Sequence, residues 1–445
     1  MFIVFLKKVF NENVTKDAIV WKDTVYDYGW LLSKVSYWRD WLSTNNIKSG
    51  LVVALEADFS PNSIALFLAL IDASCIVVPL TDSVNASKPE FIAIAQGDVS
   101  ISIDQNDMAS VTNFQNKSDH VIYGKLRKLG HPGLVVFSSG STGKNKAVVH
   151  DMAAILEKFK VRKRSFRAIS FLLYDHLGGV NTLLYQLSNG GCIVTLTERS
   201  PDTVLHAVEK YRVELLPTSP TFINLILLSE AYKRYDLSSL KTVSYGTESM
   251  PESTLKRIHA LLPYVDLQQT YGLTETGVLR SRSKHSNSLW VKIGGEGFET
   301  RVVNGILHIK SESAMLGYLN APDPFTADGW FNTEDLVEVD GEYVKFLGRE
   351  SDVINVGGAK VYPAEIESVI QEMDNVAEAA VYSEANAIIG NIVCVKVRLI
   401  EQELHSKFVR RLRSYCSERL ERFKVPIRVV ITDRSQHSGR FKKVR

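Results

Sequence analysis

Two stretches carry the residue types that phosphate chemistry uses. From Val135 to His150 the chain reads "VVFSSGSTGKNKAVVH": an apolar run, hydroxyls at Ser138, Ser139, Ser141 and Thr142, glycines at Gly140 and Gly143, then Lys144 and Lys146. Glycines let backbone amides face outward, so such a loop suits the β and γ phosphates of a nucleotide, with Lys146 placed to neutralise them. A Walker loop needs Gly, four residues, then Gly-Lys followed by Ser or Thr. Ser138 holds the first glycine position and Asn145 follows Gly143-Lys144, so that motif is absent. Taken alone, a Ser/Gly loop is equally a linker. The second stretch, "QQTYGLTETG", sets Tyr271, Thr274 and Glu275 close together. A carboxylate is the hard oxygen ligand Mg2+ prefers, here beside an aromatic face and a small hydroxyl donor. By itself "YGLTE" also reads as a turn into a helix.

The elements that must hold these residues alternate. Helical patterns such as "WLLSKVSYWRDWL" and "PDTVLHAVEKYRV" are interleaved with short β-branched runs such as "LVVALEA", "CIVVPL", "GCIVTL" and "LKTVSYG". That alternation predicts a layered α/β sheet. From Gly305 the texture changes to short strands with Gly turns, "GILHIKS" and "LVEVDGEYVKFLG", a small β-rich subdomain. After "GRESDVINVGG" a second α/β pattern follows, with a helix at "YPAEIESVIQEM" and a basic amphipathic helix near "HSKFVRRLRSYCSERL". The boundary is placed at Arg349, giving domains 1–348 and 349–445.

Length and composition fit this reading. A chain of 445 residues suggests two or three domains and a cleft between them. Hydrophobic residues at 45% and charged residues at 23% are ordinary globular usage. A net charge of +2 gives no reason to expect nucleic acid. From Glu401 onward, however, thirteen Lys or Arg face five Asp or Glu, either a solvated face or a surface for a polyanion. Cys75, Cys192, Cys394 and Cys416 stand far apart in mostly apolar runs, which predicts buried thiols in a reducing, cytoplasmic setting. The longest apolar segment, Ser63 to Leu80, is broken by Asp72, Ser74 and Pro79, so it predicts a buried helix then a strand, with no membrane span.

In order along nearly the whole chain, these motifs resemble those of the adenylate-forming superfamily: acyl- and aryl-CoA synthetases, peptide-synthetase adenylation domains and luciferases. "SSGSTGKNK" is similar to its phosphate signature, with Asn145 where the family has Pro. The resemblance implies ATP held by Ser138, Ser139, Gly140, Ser141, Thr142, Gly143 and Lys146, with Tyr271 on the base and Thr274 on the α-phosphate. It assigns Mg2+ to Glu275 with Thr142. "VSYGTESMPEST" corresponds to a strand end against the acyl group and adenine, implying pocket roles for Gly246, Thr247 and Glu248; its plain reading is a helix cap. In "GWFNTEDLVEVDGEYVKFLGRESDVINVGGAKVYPAEIE", Asp335 matches the acid that accepts both ribose hydroxyls, and Arg349 the arginine at the domain junction. Gly357 and Gly358 would let a strand run beside the pantetheine chain, with Lys360 near it; alone, Gly-Gly reads as a hairpin turn.

The implied fold is α/β: a large N-terminal domain of layered sheets with a β-rich subdomain, plus a small mobile α+β C-terminal domain, acyl-CoA synthetase-like. The implied chemistry is activation of a small-molecule carboxylic acid by ATP to an acyl adenylate, then transfer to coenzyme A or to the phosphopantetheine of an acyl carrier protein acting in trans. Two further positions depart from the family pattern. Ser351, followed by Asp352, stands at the hinge position, and "HSGRFKKVR" has Arg440 where the family lysine bridges carboxylate and α-phosphate. Arginine's planar fork differs from a compact ammonium, and Lys442, two residues on, shares a face with it in an extended segment. In "FLLYDHLGGVNTLLYQL" two registers fit: His176 gating an acyl pocket, or Asp175 pairing with an α-amino group. Gly178 and Gly179 read as close approach to a ligand and favour His176. Phe222, Tyr245 and Leu279 are candidate pocket residues. The alternatives are an amino-acid adenylating enzyme that loads a carrier, and a non-catalytic nucleotide-binding relative, the latter motivated by Arg440.

Overall fold

A helix with no polar face must be buried on all sides, and this chain builds its core around one. "PNSIALFLALID" forms the helix Pro61–Asp72, in which every residue but Asn62 is buried. Ser60 caps it: its hydroxyl accepts from the Ser63 N–H while Ser63 Oγ accepts from the Ser60 N–H. At its far end the buried Asp72 carboxylate accepts from Lys7 Nζ at 2.7 Å. The structure, a computed structural model, describes residues 2–114, 118–139, 144–386, 390–438, 441 and 443.

This helix and Leu177–Ser188 share one core with two seven-stranded sheets, in which Ile19 of one sheet and Val53, Leu55 and Val77 of the other meet Leu66, Leu70, Leu183 and Leu187. Each fully buried Leu contributes about 1.5–3 kcal/mol over its exposed state. The first sheet runs Gly317–Tyr318, Asn145–Asp151, Gly133–Ser139, Ile76–Leu80, Val52–Glu56, Val99–Ile103, Ala109–Asn113. The second runs Asp266–Gln269, Thr242–Tyr245, Leu215–Thr218, Arg167–Ile169, Cys192–Val194, Asp17–Trp21, Thr24–Asp27, parallel except for its last strand.

The short strands from residue 280 onward form a third, six-stranded antiparallel sheet in the order Arg280–Ser283, Val291–Gly294, Tyr343–Arg349, Phe331–Asp340, Ile306–Ser311, Phe298–Val303. It ends at Arg349. After the single turn Glu350–Asp352, which contains Ser351, a fourth sheet begins at Ile354–Val356 and is completed by Ala359–Val361, Val376–Asn386, Gly390–Leu399 and Arg428–Ile431. Its own core includes Ile366 of the helix Pro363–Gln371 and Phe408, Leu412 and Cys416 of the helix His405–Ser417. The spacing of those last three residues puts them on one face and leaves the arginines on the other.

"YGLTE" does not open a helix. It forms a short antiparallel pair, Gly272–Leu273 with Gly277–Val278. All four cysteines are buried and free, and among the described residues no helix is long and apolar enough to cross a membrane.

Candidate functional site

In an open parallel sheet the ligand crevice lies outside the carboxyl ends of the strands. Thr218, Tyr245 and Gln269 stand abreast at the ends of three neighbouring parallel strands. The segments leaving that edge are Ser170–His176, Ser219–Phe222, Gly246–Glu248 and Thr270–Glu275, which hold most of the polar candidates.

The phosphate and metal candidates meet where the two seven-stranded sheets approach. Ser138 and Lys146 are cross-strand partners flanking the loop. Ser138 Oγ donates to Glu275 Oε1 at 3.5 Å, and the Tyr318 hydroxyl donates to the same oxygen at 2.8 Å. Lys146 Nζ lies 5.1 Å from the Tyr318 ring centroid. Burial and the Glu275 charge together push the Tyr318 hydroxyl well above the usual phenol range, so it stays a donor. Tyr318 arrives because Gly317–Tyr318 adds to the edge of the first sheet opposite Val148 and Val149. The Glu275 turn is held from behind: His150 Nε2–H donates to the Thr274 carbonyl at 2.7 Å, and the Met315 N–H to the Glu275 carbonyl at 2.8 Å. Complete burial lowers the His150 pKa to about 4, so the ring is neutral at ordinary pH. Gly140, Ser141, Thr142 and Gly143 lie outside the described residues, as does the side chain of Ser139.

No group of three His, Cys, Asp or Glu side chains among the described residues could hold a metal by itself. That fits Mg2+, which takes one or two carboxylates and completes its shell with water and substrate phosphates. Glu275, held by hydroxyl groups and with no ion-paired Lys or Arg among the described residues, has the required chemistry.

A second cluster joins the "QQTYGLTETG" loop to the third sheet. The Tyr271 hydroxyl donates to Asp335 Oδ2 at 2.6 Å, and Arg349 Nε lies 3.5 Å from Asp335 Oδ1. Asp335 and Arg349 face each other across neighbouring strands. Burial raises the Asp335 carboxyl above the usual range, while the Tyr271 hydroxyl and the Arg349 charge pull it back. The Tyr271 ring stacks on Phe346, with centroids 4.4 Å apart and planes at 18°.

The strand end at Gly246 is tightly built. A Cβ there would sit 2.5 Å from Thr270 Oγ1 and 2.7 Å from the Thr270 carbonyl oxygen, so only glycine fits. Thr247 takes φ +73°, a conformation that favours glycine. Glu248, expected to face the ligand pocket, accepts the Thr221 N–H at 2.7 Å and the Lys443 N–H at 2.8 Å. It fastens the C-terminal segment to the strand edge. Arg440 and Lys442 lie outside the described residues; Phe441 and Lys443 do not.

Beside this edge is a cleft of ≈ 470 Å³, lined among others by Phe171, Leu172, Asp175, His176, Arg199 and Phe441. Both registers of "YDHLGG" therefore reach it. Asp175 Oδ2 accepts from the Thr81 and Ser83 hydroxyls, each at 2.9 Å, and His176 Nδ1 accepts from the Gly178 N–H, capping Leu177–Ser188. The expectation that Gly178 and Gly179 mark close approach to a ligand is corrected: a Cβ on Gly179 would lie 2.0 Å from the Leu173 carbonyl oxygen and 2.6 Å from that of Leu172. These glycines let the helix start fold back against its own leader. Phe222, Tyr245 and Leu279 are buried, and Phe222 touches Phe171.

Gly357 and Gly358 are elsewhere. They form a two-residue hairpin turn with φ +57° and +89°, their Cβ positions face open space, and Lys360 is exposed beside them. No described contact joins them to the Glu275 or Asp335 clusters. Tyr318, His150, Phe346 and Phe441 were not legible as site residues. Each reaches the site by a pairing across many residues, and none stands in a local pattern that marks it.

A layered α/β core, a hairpin whose Ser138 meets the Glu275 carboxylate, and a half-buried Asp held by Tyr and Arg define a nucleotide-binding α/β protein. The sequence model for the AMP-binding enzyme matches residues 6–319, and that for the AMP-binding enzyme C-terminal domain matches 365–442; the chain belongs to the AMP-binding enzyme family, within the adenylate-forming superfamily. It is 29% identical over 322 residues to a methyl-dioxo-octahydroindenyl propanoyl:CoA ligase of Rhodococcus jostii, covering 67% of this chain and 61% of that one. It is 28% identical over 330 residues to the indoleacetate–CoA ligase of Aromatoleum aromaticum, covering 68% and 64%. Both matches thus span less than two thirds of the relative. The crystal structure of the anthranilate CoA ligase AuaEII with anthranoyl-AMP superposes with a TM-score of 0.84 at 18% identity, covering 100% of this chain and 95% of that one, which shows a shared fold.

Proposed function

We propose that this protein activates a carboxylic acid with ATP, forming an acyl adenylate and pyrophosphate, and then transfers the acyl group to the thiol of coenzyme A. The observation that carries the reading is the bond between Ser138 and Glu275 across 137 residues, which supports a phosphate-binding hairpin working beside a metal-binding carboxylate. Membership of the AMP-binding family and the CoA-ligase names of the relatives support it.

A free carboxylate is a poor acyl donor because oxide would have to leave; attack on the α-phosphate creates AMP as a good leaving group. The protein's task is placement and charge neutralisation, since a carboxylate and three phosphates repel one another. In this reading Ser138, Ser139, Gly140, Ser141, Thr142, Gly143 and Lys146 cradle the β and γ phosphates. Thr274 contacts the α-phosphate and Asp335 accepts the ribose hydroxyls, oriented by Tyr271 and Arg349. Tyr271 stacks on the base, and Gly246 and Thr247 line the adenine and acyl side. Glu275 with Thr142 would hold Mg2+, which when bound supplies positive charge against the phosphates. Arg440 or Lys442 supplies the cation between carboxylate and α-phosphate. His176 gates the acyl pocket; the double hydroxyl contact on Asp175 weighs against its serving an α-amino group.

The division into residues 1–348 and 349–445, with the smaller part mobile about Glu350–Asp352, is part of the proposal. It is supported by the end of the third sheet at Arg349 and the start of the fourth at Ile354. Rotation there would bring the exposed hairpin of Gly357, Gly358 and Lys360 towards the pantetheine arm for thioester formation. The named relatives favour coenzyme A over a carrier protein in trans. Buried free cysteines suit a reducing compartment such as the cytoplasm. Pyrophosphate exchange screened over fatty, aromatic, hydroxy and amino acids, followed by mass detection of the CoA thioester, tests the reading. Exchange with a non-amino acid and a CoA thioester are expected. Retained ATP binding without exchange for any acid overturns it in favour of a non-catalytic relative.

A further inference from the structure

The C-terminal segment crosses the carboxyl edge of three parallel strands. Phe441 has its ring centroid 5.6 Å from that of Phe171, beyond Arg167–Ile169, and 5.0 Å from that of Phe222, beyond Leu215–Thr218. Its carbonyl accepts from Ser219 Oγ at 2.7 Å. Two residues on, the Lys443 N–H reaches Glu248, beyond Thr242–Tyr245, and Lys443 Nζ pairs at 2.9 Å with Glu367, whose side chain is 2% exposed. The segment is thus pinned on both sides of the strand edge.

Phe441 also lines the ≈ 470 Å³ cleft with Phe171, Leu172, Leu173 and His176. It takes φ +53°. A bulky residue held in the left-handed region costs about 1–3 kcal/mol and persists only where its surroundings impose it. The Phe441 N–H donates to the Ser438 carbonyl at 2.9 Å and its own carbonyl accepts from Ser219, so the surroundings that impose the conformation are a tight turn held at the strand edge. From that turn the Phe441 ring packs between Phe171, Phe222 and His437 and forms part of the cleft wall.

We propose that Phe441 is a wall of the acid pocket and limits the size of the acid that is activated, so that acid selection depends on the C-terminal segment being docked. The inference rests on the acid-activating reading above. The cleft lies within the size range of small-molecule pockets; Phe171, Leu172, Leu173 and Phe441 make an apolar part of its wall, alongside charged groups such as Asp58 and Arg199, and an aryl or short acyl group suits that apolar part. An acid that packs on Phe441 gains that contact only when the segment is down, and by reciprocity it holds the segment down.

The test measures kcat/KM for pyrophosphate exchange with benzoate, phenylacetate, hexanoate and decanoate, using the full chain and its Phe441→Ala, Phe441→Leu and Phe441→Trp variants, with thermal melts confirming the fold. Phe441→Ala should shift the decanoate-to-benzoate ratio about tenfold towards decanoate, Phe441→Leu less, and Phe441→Trp in the opposite direction. A uniform loss across all acids, or an unchanged ratio in every folded variant, overturns the role of Phe441 while leaving acid activation standing. A wild type silent towards every acid overturns both.

Discussion

The Tyr271 hydroxyl donates to Asp335 at 2.6 Å and ties the loop after one parallel strand to a hairpin 64 residues further on. The same carboxylate faces Arg349, so one acid is oriented from two sides.

Removing the hydroxyl tests that orientation. Burial already raises the Asp335 carboxyl above 3.8, and Tyr271 lowers it, so Tyr271→Phe raises it further. On the proposed role of Asp335, the ionised form is the one that would accept ribose hydroxyls. ATP affinity is therefore complete above the folded pKa and is lost as pH falls through it. The acid limb of ATP affinity should move to higher pH in Tyr271→Phe, and affinity near neutrality should fall about tenfold, as expected for one hydrogen bond to a charged group. Isothermal titration of ATP against pH reads both effects, and an unmoved acid limb would remove Asp335 from ribose binding.

His150 predicts a pH dependence of stability. Its pKa is lowered from 6.5 to about 4 by burial, so the unfolded chain takes up a proton before the folded chain does. The stability this residue contributes is fully present above 6.5 and drains away as pH falls towards 4, by about 3 kcal/mol in all. Urea midpoints across that range should fall for the wild type and fall less steeply for His150→Gln, which keeps a donor for the Thr274 carbonyl.

Tyr318 is the nearer of the two hydroxyls that orient Glu275. Loss of such an outer partner typically weakens a metal site by about 10–100-fold. Tyr318→Phe should raise the Mg2+ concentration for half-maximal pyrophosphate exchange by about tenfold, with little change in melting temperature. An unchanged Mg2+ requirement would separate Tyr318 from the metal site.

What was legible in the sequence, and what was not, follows from range. The buried helix within Ser63 to Leu80, Gly246, and Tyr271, Glu275 and Asp335 all stand in local patterns of spacing and residue type; the structure joins Tyr271 to Asp335 and, in a separate cluster, Glu275 to Ser138. Tyr318 reaches Glu275 only because a two-residue strand adds to a sheet edge opposite residues 148 and 149, a pairing that no local pattern encodes. Gly179 shows the opposite failure. Its local signal is genuine, but the close approach is to the carbonyls of Leu172 and Leu173 rather than to a ligand, and glycine spacing cannot tell these apart. Glu248 carries a third kind: the residue type is visible, but its partner lies 195 residues away in the C-terminal segment.

That partner supplies the last prediction. Glu248 accepts the backbone N–H groups of Thr221 and Lys443, so one carboxylate holds the start of the helix Pro220–Ser229 and the end of the chain together. Charge-assisted bonds of this kind are roughly twice as strong as neutral ones, and neither amide would be paired after truncation. Glu248→Ala should release the C-terminal segment, while Glu248→Gln, whose carbonyl oxygen can still accept one of the two amides, should release it in part. On the proposed roles, in which Arg440 or Lys442 on that segment supplies the cation and Ser138, Glu275 and Asp335 hold the nucleotide, release should lower acid-dependent pyrophosphate exchange by about tenfold or more and leave ATP affinity within about twofold. Limited trypsin digestion supplies the structural readout: the lysines and arginines after Gln436 should be cut faster in Glu248→Ala than in the wild type. Equal cleavage with normal exchange would show that the segment is held by Phe441 and Lys443 without Glu248.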